Sequence, residues 1–261
     1  MPYTISHIAA AVPFARQLAR WHVLSAFVIG SMVPDFGYFL PNDPPRFVTH
    51  SAMALVTFCL PVGLFSYWIF QRLLKAPLLS VLPDQAYMRW RPYATAATLG
   101  RPLQWLLAAC GVFVGAAIHL AWDAFTHVDS RGVRMVPELN DPVLEVHDHA
   151  VRGWLLLQAL SSLIGLLVVI AAIVYALRST GRVEVTARVL NASERRTWAL
   201  VFLLTTLGFC VAFLILDPRA GPYRWRWIGG LAVALLRALI LASLCIGLLM
   251  QAYLARRGRQ A

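Results

Sequence analysis

The sequence predicts an all-α membrane protein: a polytopic helical bundle of about five spans, with an N-terminal re-entrant helical hairpin. Two observations predict this class. Of the 261 residues, 59% are hydrophobic and only 13% are charged, whereas soluble domains carry about 25% charged residues. The apolar residues also form runs of about 20 residues, the length that crosses a bilayer. The predicted spans are residues 51–74, 102–125, 154–177, 197–216 and 227–254.

The first fifty residues do not fit a full span. TISHIAAAVPFARQLAR is expected to be helical, with Thr4 or Ser6 as its N-cap. The apolar stretch that follows it has only about twelve residues before Pro34 stops it, which suits a re-entrant or half-buried helix. If residues 22–40 crossed the membrane instead, the bundle would have six spans.

The basic residues indicate the orientation of the chain. The net charge is +11, and arginine and lysine concentrate in the connections at 72–101 and 178–196 and in the tail at 256–259. These are alternate connections, as the positive-inside rule expects of cytoplasmic segments, so the C-terminus is predicted to be cytoplasmic. Basic charge placed in this way meets anionic lipid head groups, and no nucleic-acid partner is implied.

Chemistry-bearing residues are confined to one part of the chain. Residues 1–150 contain all seven histidines and nine of the twelve acids, whereas residues 151–261 contain three acids near the ends of spans. The first part is therefore predicted to carry a metal site and the second to be a scaffold of transmembrane helices, within one integrated domain. The four cysteines lie singly in apolar runs and are interpreted as buried small hydrophobic residues.

One stripe of polar residues marks the candidate site. His119, Asp123 and His127 recur every four residues in HLAWDAFTH, so they project from one face of a helix. Ionisable groups are costly in an apolar span and are functional candidates by default. Imidazole and carboxylate are zinc ligands, although hydrogen bonds between helices would need the same residues.

The predicted topology brings further ligand-type residues to this stripe. His50 precedes the first span, whereas His119 and Asp123 end the next one, so antiparallel packing places all three at one membrane face. The loop charges make that face non-cytoplasmic. In the five-span arrangement, which is preferred for this reason, His7 and Asp35 reach the same face. The nearest hydroxyls that could orient these ligands are those of Thr49, Ser51 and Thr126.

At this point the motifs resemble a known group of proteins. MPYTISHIAAAVPF, IGSMVPDFGYFL, the THS before an apolar span and HLAWDAFTH resemble a family of uncharacterised bacterial integral membrane proteins, which is related to predicted membrane-bound metal-dependent hydrolases. The resemblance covers roughly residues 1–175, where LLLQALSSLIGLL continues it. It implies an integral-membrane helical protein with a metal-dependent hydrolytic activity.

The order of ligands is also similar, more distantly, to that of zinc-dependent phospholipase C and the P1-type nucleases. That similarity implies that Asp123 bridges from a first metal to a second one held partly by His7, and that His127, His147 or His149 serves a further metal. This chain departs from the pattern, because the terminal His-x-x-x-Glu pair is missing and six residues precede His7. The ligands implied for the first metal are Asp35, His50, His119 and Asp123.

The residues predict a metal site in a membrane protein, and the two resemblances imply a metal-dependent hydrolase of a phosphoester in a lipid or lipid-linked substrate, acting through a metal-activated water. Asp123 and His127 are the candidate catalytic residues, and the cofactor is expected to be one or two divalent ions, zinc or else manganese. Membrane lipids and a lipid-like substrate are the expected partners, and the oligomeric state is left open. The alternatives are a metal transporter or sensor and a non-catalytic membrane scaffold. The sequence assigns no role to Arg237 in the last span.

Overall fold

A computed structural model of the chain describes residues 4–40, 44–94, 99–146, 149–178, 190–216 and 224–257. The described residues are mostly helical, and four of the helices are long enough and apolar enough to cross a membrane. They indicate a multi-pass membrane protein. The four candidate spans are Pro102–Thr126, Gly153–Arg178, Ala192–Leu216 and Val233–Arg257.

The α-helices are, in chain order, α1 (Ala15–Arg20), α2 (Leu24–Gly30), α3 (Arg46–Thr49), α4 (Leu60–Ile69), α5 (Lys75–Val81), α6 (Asp84–Ala94), α7 (Pro102–Thr126), α8 (Arg131–Met135), α9 (Gly153–Arg178), α10 (Ala192–Leu216) and α11 (Arg224–Arg257). Three 3₁₀ helices occupy Thr4–Phe14, Val33–Phe39 and Pro137–Asn140, and two π-helical segments occupy Leu55–Cys59 and Phe70–Leu74. Two strands, β1 (Pro142–Val146) and β2 (His149–Arg152), pair as an antiparallel hairpin.

The structure differs from the predicted elements in three places. The β1–β2 hairpin corrects the all-α prediction, and its valines have the branched side chains that favour strands. The expected N-terminal α-helix is a 3₁₀ helix that continues into α1. Of residues 51–74, only 54–74 are helical; they alternate between π and α geometry, and no single segment has the length of a span.

The chain divides into two compact units, one made of Met1–Tyr67 and Thr98–Tyr175, the other of Trp68–Ala97 and Ala176–Ala261. We call them the first and the second unit. The second unit packs α10 against α11 through Cys210, Ala234 and Ala238. In that unit the guanidinium carbon of Arg237 lies 6.0 Å from the centroid of the Phe213 ring.

In the first unit, small residues let α2 approach the backbone of α7. A β-carbon at Gly115 would overlap the carbonyl oxygen of Phe27, and one at Gly30 would overlap that of Val112. Small residues at helix contacts allow this approach in membrane proteins. The short helix α2 is thereby held along α7, and the residue that follows it, Ser31, is fully buried beside that span.

Candidate metal centre

The five residues predicted to bind metal converge in the first unit. His7 lies on the 3₁₀ helix Thr4–Phe14 and Asp35 on the 3₁₀ helix Val33–Phe39. His50 caps the C-terminus of α3, and His119 and Asp123 lie on α7. All five side chains are at most 5% exposed. Two overlapping groups of these residues could hold a metal ion: His7 with His119 and Asp123, and Asp35 with His50 and His119.

The second of these groups gains a fourth ligand-type atom from Asp123. Asp35 Oδ1 lies 3.3 Å from His50 Nε2 and 3.7 Å from His119 Nε2. Asp123 Oδ2 lies 3.6 Å from each of these two nitrogens. In a tetrahedral zinc site with bonds of about 2.0–2.1 Å, ligand atoms lie about 3.3–3.4 Å apart. These separations therefore fit a zinc-sized ion with little adjustment.

The other oxygen of Asp123 faces His7. Asp123 Oδ1 lies 3.7 Å from His7 Nε2, and the His7 ring stacks on that of His119 with 3.8 Å between centroids. The two groups share one nitrogen, His119 Nε2, which can bind only one ion. The donor set therefore suits either a single ion or a pair in which Asp123 contributes one oxygen to each.

Hydrogen bonds from outside the cluster orient its histidines. His119 Nδ1 lies 2.7 Å from the carbonyl oxygen of Ser31; a carbonyl can only accept, so Nδ1 carries the proton. Thr49 Oγ1 donates to the carbonyl of Arg46 and lies 2.6 Å from His50 Nδ1, from which it can accept. Both histidines thus present Nε2 to the centre, as metal-binding histidines held by outer partners do.

The position of the proton on His119 shows whether a cation fits the cluster. With the proton on Nδ1, the Nε2 lone pair of His119 points at oxygens of two carboxylates, Asp35 and Asp123. Among the described residues, His119 Nε2 and Asp123 Oδ1 are buried without a hydrogen-bond partner. Such an arrangement is repulsive unless a cation lies between these atoms or the ring is doubly protonated. The residues present therefore fit a divalent cation.

The electrostatics of the flanking residues agree with this fit. Burial, together with the adjacent His119 ring, lowers the pKa of His7 to about 4, and burial also lowers the pKa of His50. Burial alone would raise the pKa of Asp35, but its contact with His50 Nε2 and the hydrogen bond that Thr4 Oγ1 donates to Asp35 Oδ2 at 2.7 Å outweigh that effect and lower it. At neutral pH His7 and His50 are thus neutral imidazoles and Asp35 is an ionised carboxylate, the forms that bind metals.

His127 lies at the edge of the cluster. It follows the last residue of α7, and its Nδ1 is 3.6 Å from Asp123 Oδ2. Its Nε2 lies 3.1 Å from the amide nitrogen of Gln158 on α9, and Thr126 Oγ1 is 3.2 Å from Nδ1. Of the three hydroxyls expected to orient ligands, those of Thr49 and Thr126 do contact ring nitrogens, whereas Ser51 accepts from the backbone of Ala54.

The remaining predicted candidates cannot be placed at the centre. His147 lies outside the described residues, and His149 is described only through the backbone of β2. Arg46, which was not among the predicted site residues, donates from Nη2 to Asp123 Oδ2 at 2.7 Å. The signal that points to it is its spacing, since it stands one helical turn before His50.

A narrow crevice lies beside His7 and Asp123. Its other walls are mainly hydroxyl and amide groups, and α9 contributes three of the lining residues. Trp122 Nε1 donates to Ser161 Oγ at 3.1 Å across this crevice. The lining residues are Ser6, His7, Trp122, Asp123, Thr126, Gln158, Ser161 and Ser162.

Comparisons with known proteins identify a family without an assigned activity. No curated protein and no solved structure matches the chain. A family model described as Domain of unknown function (DUF4184) matches residues 1–253, which includes the cluster, the first three candidate spans and most of the fourth. The chain therefore belongs to the DUF4184 family.

Proposed function

We propose that this protein is an integral-membrane metal-dependent hydrolase that cleaves a phosphoester in a lipid or lipid-linked substrate. The observation that carries the proposal is the convergence of Asp35, His50, His119 and Asp123, with His7 on the far oxygen of Asp123, in one buried cluster. These residues come from four separate segments of the sequence, and two of their polar atoms have no hydrogen-bond partner among the described residues.

The cofactor is one or two divalent ions, zinc or else manganese. Such ions bind phosphoryl oxygens and supply an activated water at neutral pH. Asp35, His50, His119 and Asp123 hold the first ion, and Asp123 with His7 holds the second. The distances between ligand atoms, 3.3–3.7 Å, support this assignment.

His127 is the proposed proton-transfer residue, with Asp123 as the other catalytic group. The His127 ring is 15% exposed, more than the other histidines of the cluster, so a substrate can reach it. If the Gln158 amide donates to Nε2, the proton lies on Nδ1, on the side of Thr126 and Asp123. Gln158 and Thr126 then hold the ring in a fixed orientation, as a general acid–base catalyst requires.

The proposed topology has five spans, including one at residues 51–74, and a re-entrant hairpin formed by the first fifty residues. The C-terminus is cytoplasmic and the centre faces the non-cytoplasmic side of a bacterial inner membrane. Residues 1–150 carry the centre and residues 151–261 serve as scaffold. The alternating basic connections support the orientation, and the short α2 followed by a 3₁₀ helix supports the hairpin.

Exposed apolar side chains near the centre support a lipid substrate. Phe47 is 73% exposed and Val48 37%, although neither belongs to a candidate span or to the proposed span at residues 51–74. Phe47 and Val48 lie on α3, between Arg46 and His50. An apolar rim beside a polar centre suits a head group whose acyl chains stay in the membrane.

Metal content tests the proposal directly. The protein is purified in detergent without chelators, and its metals are counted by mass spectrometry in wild type, in Asp123→Ala and in the control Asp141→Ala, whose exposed carboxylate lies before β1. We expect one or two equivalents of zinc or manganese in wild type and in the control, and a loss of most of the metal in Asp123→Ala.

Hydrolysis is then assayed with phosphatidic acid in mixed micelles, before and after removal of the metal. We expect phosphate release that chelation stops and added zinc restores. A wild-type protein that stays metal-free even after reconstitution would leave only the scaffold interpretation, with a doubly protonated His119. A metal-loaded protein that hydrolyses no phosphoester would favour transport or sensing.

A further inference from the structure

Arg46 stands at the mouth of the metal centre. Its Nη2 donates to Asp123 Oδ2 at 2.7 Å, yet its side chain is 39% exposed while that of Asp123 is 4% exposed. The guanidinium therefore connects a buried carboxylate to the outside of the molecule. Arg46 begins α3, the short helix that ends at Thr49 and is capped by His50, so it is fixed to the same element as one of the metal ligands.

The guanidinium has more donors than its observed partners use. It carries five N–H groups in a planar fork; Asp123 accepts from Nη2, and the Tyr38 hydroxyl lies 3.5 Å from Nη1, at the limit of a hydrogen bond. An arginine that served only to neutralise Asp123 would not need to be exposed. The arginine fork matches a phosphate group in both shape and charge, whereas lysine offers only a point charge.

We propose that Arg46 binds the phosphate group of the substrate and holds it against the metal centre. This inference rests on the function proposed above and adds to it a residue that selects an anionic substrate. Phe47 is adjacent in sequence, and its apolar side chain is 73% exposed. The phosphate is therefore that of a lipid, whose acyl chains contact Phe47. Arg46 then releases or shares its bond to Asp123 when the phosphate arrives.

The test measures phosphate binding separately from metal binding. Zinc-loaded wild type, Arg46→Gln, Arg46→Lys and the control Arg16→Gln, which changes an exposed arginine of α1, are compared in detergent. Zinc content is measured by mass spectrometry, and the Kd of inorganic phosphate and of dihexanoylphosphatidic acid by calorimetry. Arg46→Gln should keep its zinc and bind both ligands about 10- to 100-fold more weakly, as expected for lost hydrogen bonds to a charged group. Arg46→Lys should fall between Arg46→Gln and wild type, and the control should match wild type.

Each other result overturns a defined part of the proposal. If wild type holds no zinc, the proposed function fails and this inference fails with it. If wild type holds zinc and Arg46→Gln binds phosphate normally, only the role of Arg46 is wrong. If both Arg46 variants lose zinc, Arg46 supports the metal ligand Asp123 instead of the substrate. If the bound phosphate is that of a lipid, wild type should bind dihexanoylphosphatidic acid at least tenfold more tightly than inorganic phosphate. Equal affinities would exclude a lipid as the source of the phosphate.

Discussion

Helices α7 and α10 each have 25 residues and are both long and apolar enough to span a membrane, but they bury different things. In α7, 33% of the apolar window is buried, and the buried set includes His119 and Asp123. In α10 only 11% is buried, and its buried residues are Thr206 and Cys210. The charged residues of α10 stand within its first five positions.

The difference teaches what an ionisable residue in a span requires. His119 is tolerated in α7 because α2 lies close enough for the Ser31 carbonyl to accept a hydrogen bond from its Nδ1, and because its other nitrogen belongs to a buried His/Asp group that could hold a cation. Such a residue in the outward-facing middle of α10 would meet hydrocarbon with no partner. Length and hydropathy identify both helices as candidate spans, and burial separates the helix that carries part of the candidate metal centre from the helix that does not.

The largest expected effect comes from removing the nitrogen that both ligand groups share. His119→Gln should lower zinc affinity by more than about 100-fold, since even indirect partners of metal ligands contribute about 10- to 100-fold. The control is His22→Asn, which changes an exposed histidine with a positive φ of 57°, a backbone that asparagine tolerates. Competition with a chromophoric chelator measures both affinities. Equal affinities in the two variants would mean that α7 holds no metal and resembles α10 after all.

A glycine pair tests the packing side of the comparison. Gly115→Ala in α7 places a methyl group against the Phe27 carbonyl and should destabilise the protein by about 1–3 kcal/mol, the cost of overpacking. Gly208→Ala in α10 meets no atom within 4 Å and should stabilise it by about 0.5–1 kcal/mol through helix propensity. Thermal unfolding in detergent reports both. If the two substitutions shifted Tm in the same direction, α2 would not approach α7 as closely as the structure places it.

A threonine pair tests whether orientation of the ligands matters. Thr49→Val removes the hydroxyl 2.6 Å from His50 Nδ1 and should weaken zinc binding by about 10- to 100-fold. Thr206→Val in α10 removes a hydroxyl that donates only to the Phe202 carbonyl, so zinc affinity should not change. Both variants are measured by the same chelator competition, with circular dichroism as the control for folding. Unchanged zinc binding in Thr49→Val would mean that His50 is held by packing alone.

The spacing of residues explains which parts of the centre could be predicted. His119 and Asp123 are four residues apart on a helix, and antiparallel neighbours bring His50 to them, so periodicity and topology were sufficient. The Ser31 carbonyl could not be predicted, because every residue has one and only the approach of α2 selects it. Arg46 was missed because a lone arginine in a proline-rich connection is ordinarily a solvated residue.

The fold was predictable to a similar depth. Hydropathy identified the four long helices, because each is a continuous apolar run of sufficient length. It could not identify the 3₁₀ geometry of Thr4–Phe14 or the π-helical segments Leu55–Cys59 and Phe70–Leu74, since these differ from an α-helix in backbone hydrogen bonding and not in composition. The β1–β2 hairpin was missed because its strands have only five and four residues.

The smallest expected effect concerns the apolar rim. Phe47→Ser should raise the Kd of dihexanoylphosphatidic acid by about three- to tenfold. A fully buried phenylalanine contributes about 1.5–3 kcal/mol, and the variant loses part of that contribution. The Kd of inorganic phosphate should stay the same, since the phosphate contacts polar groups. Leu200→Ser removes a comparable side chain, 54% exposed, from α10 and should change neither value. A Phe47→Ser variant that binds both ligands more weakly would indicate that α3 is displaced. A variant that binds both normally would mean that the acyl chains lie elsewhere. In either case Phe47 would have no more contact with the substrate than the exposed apolar residues of α10 have.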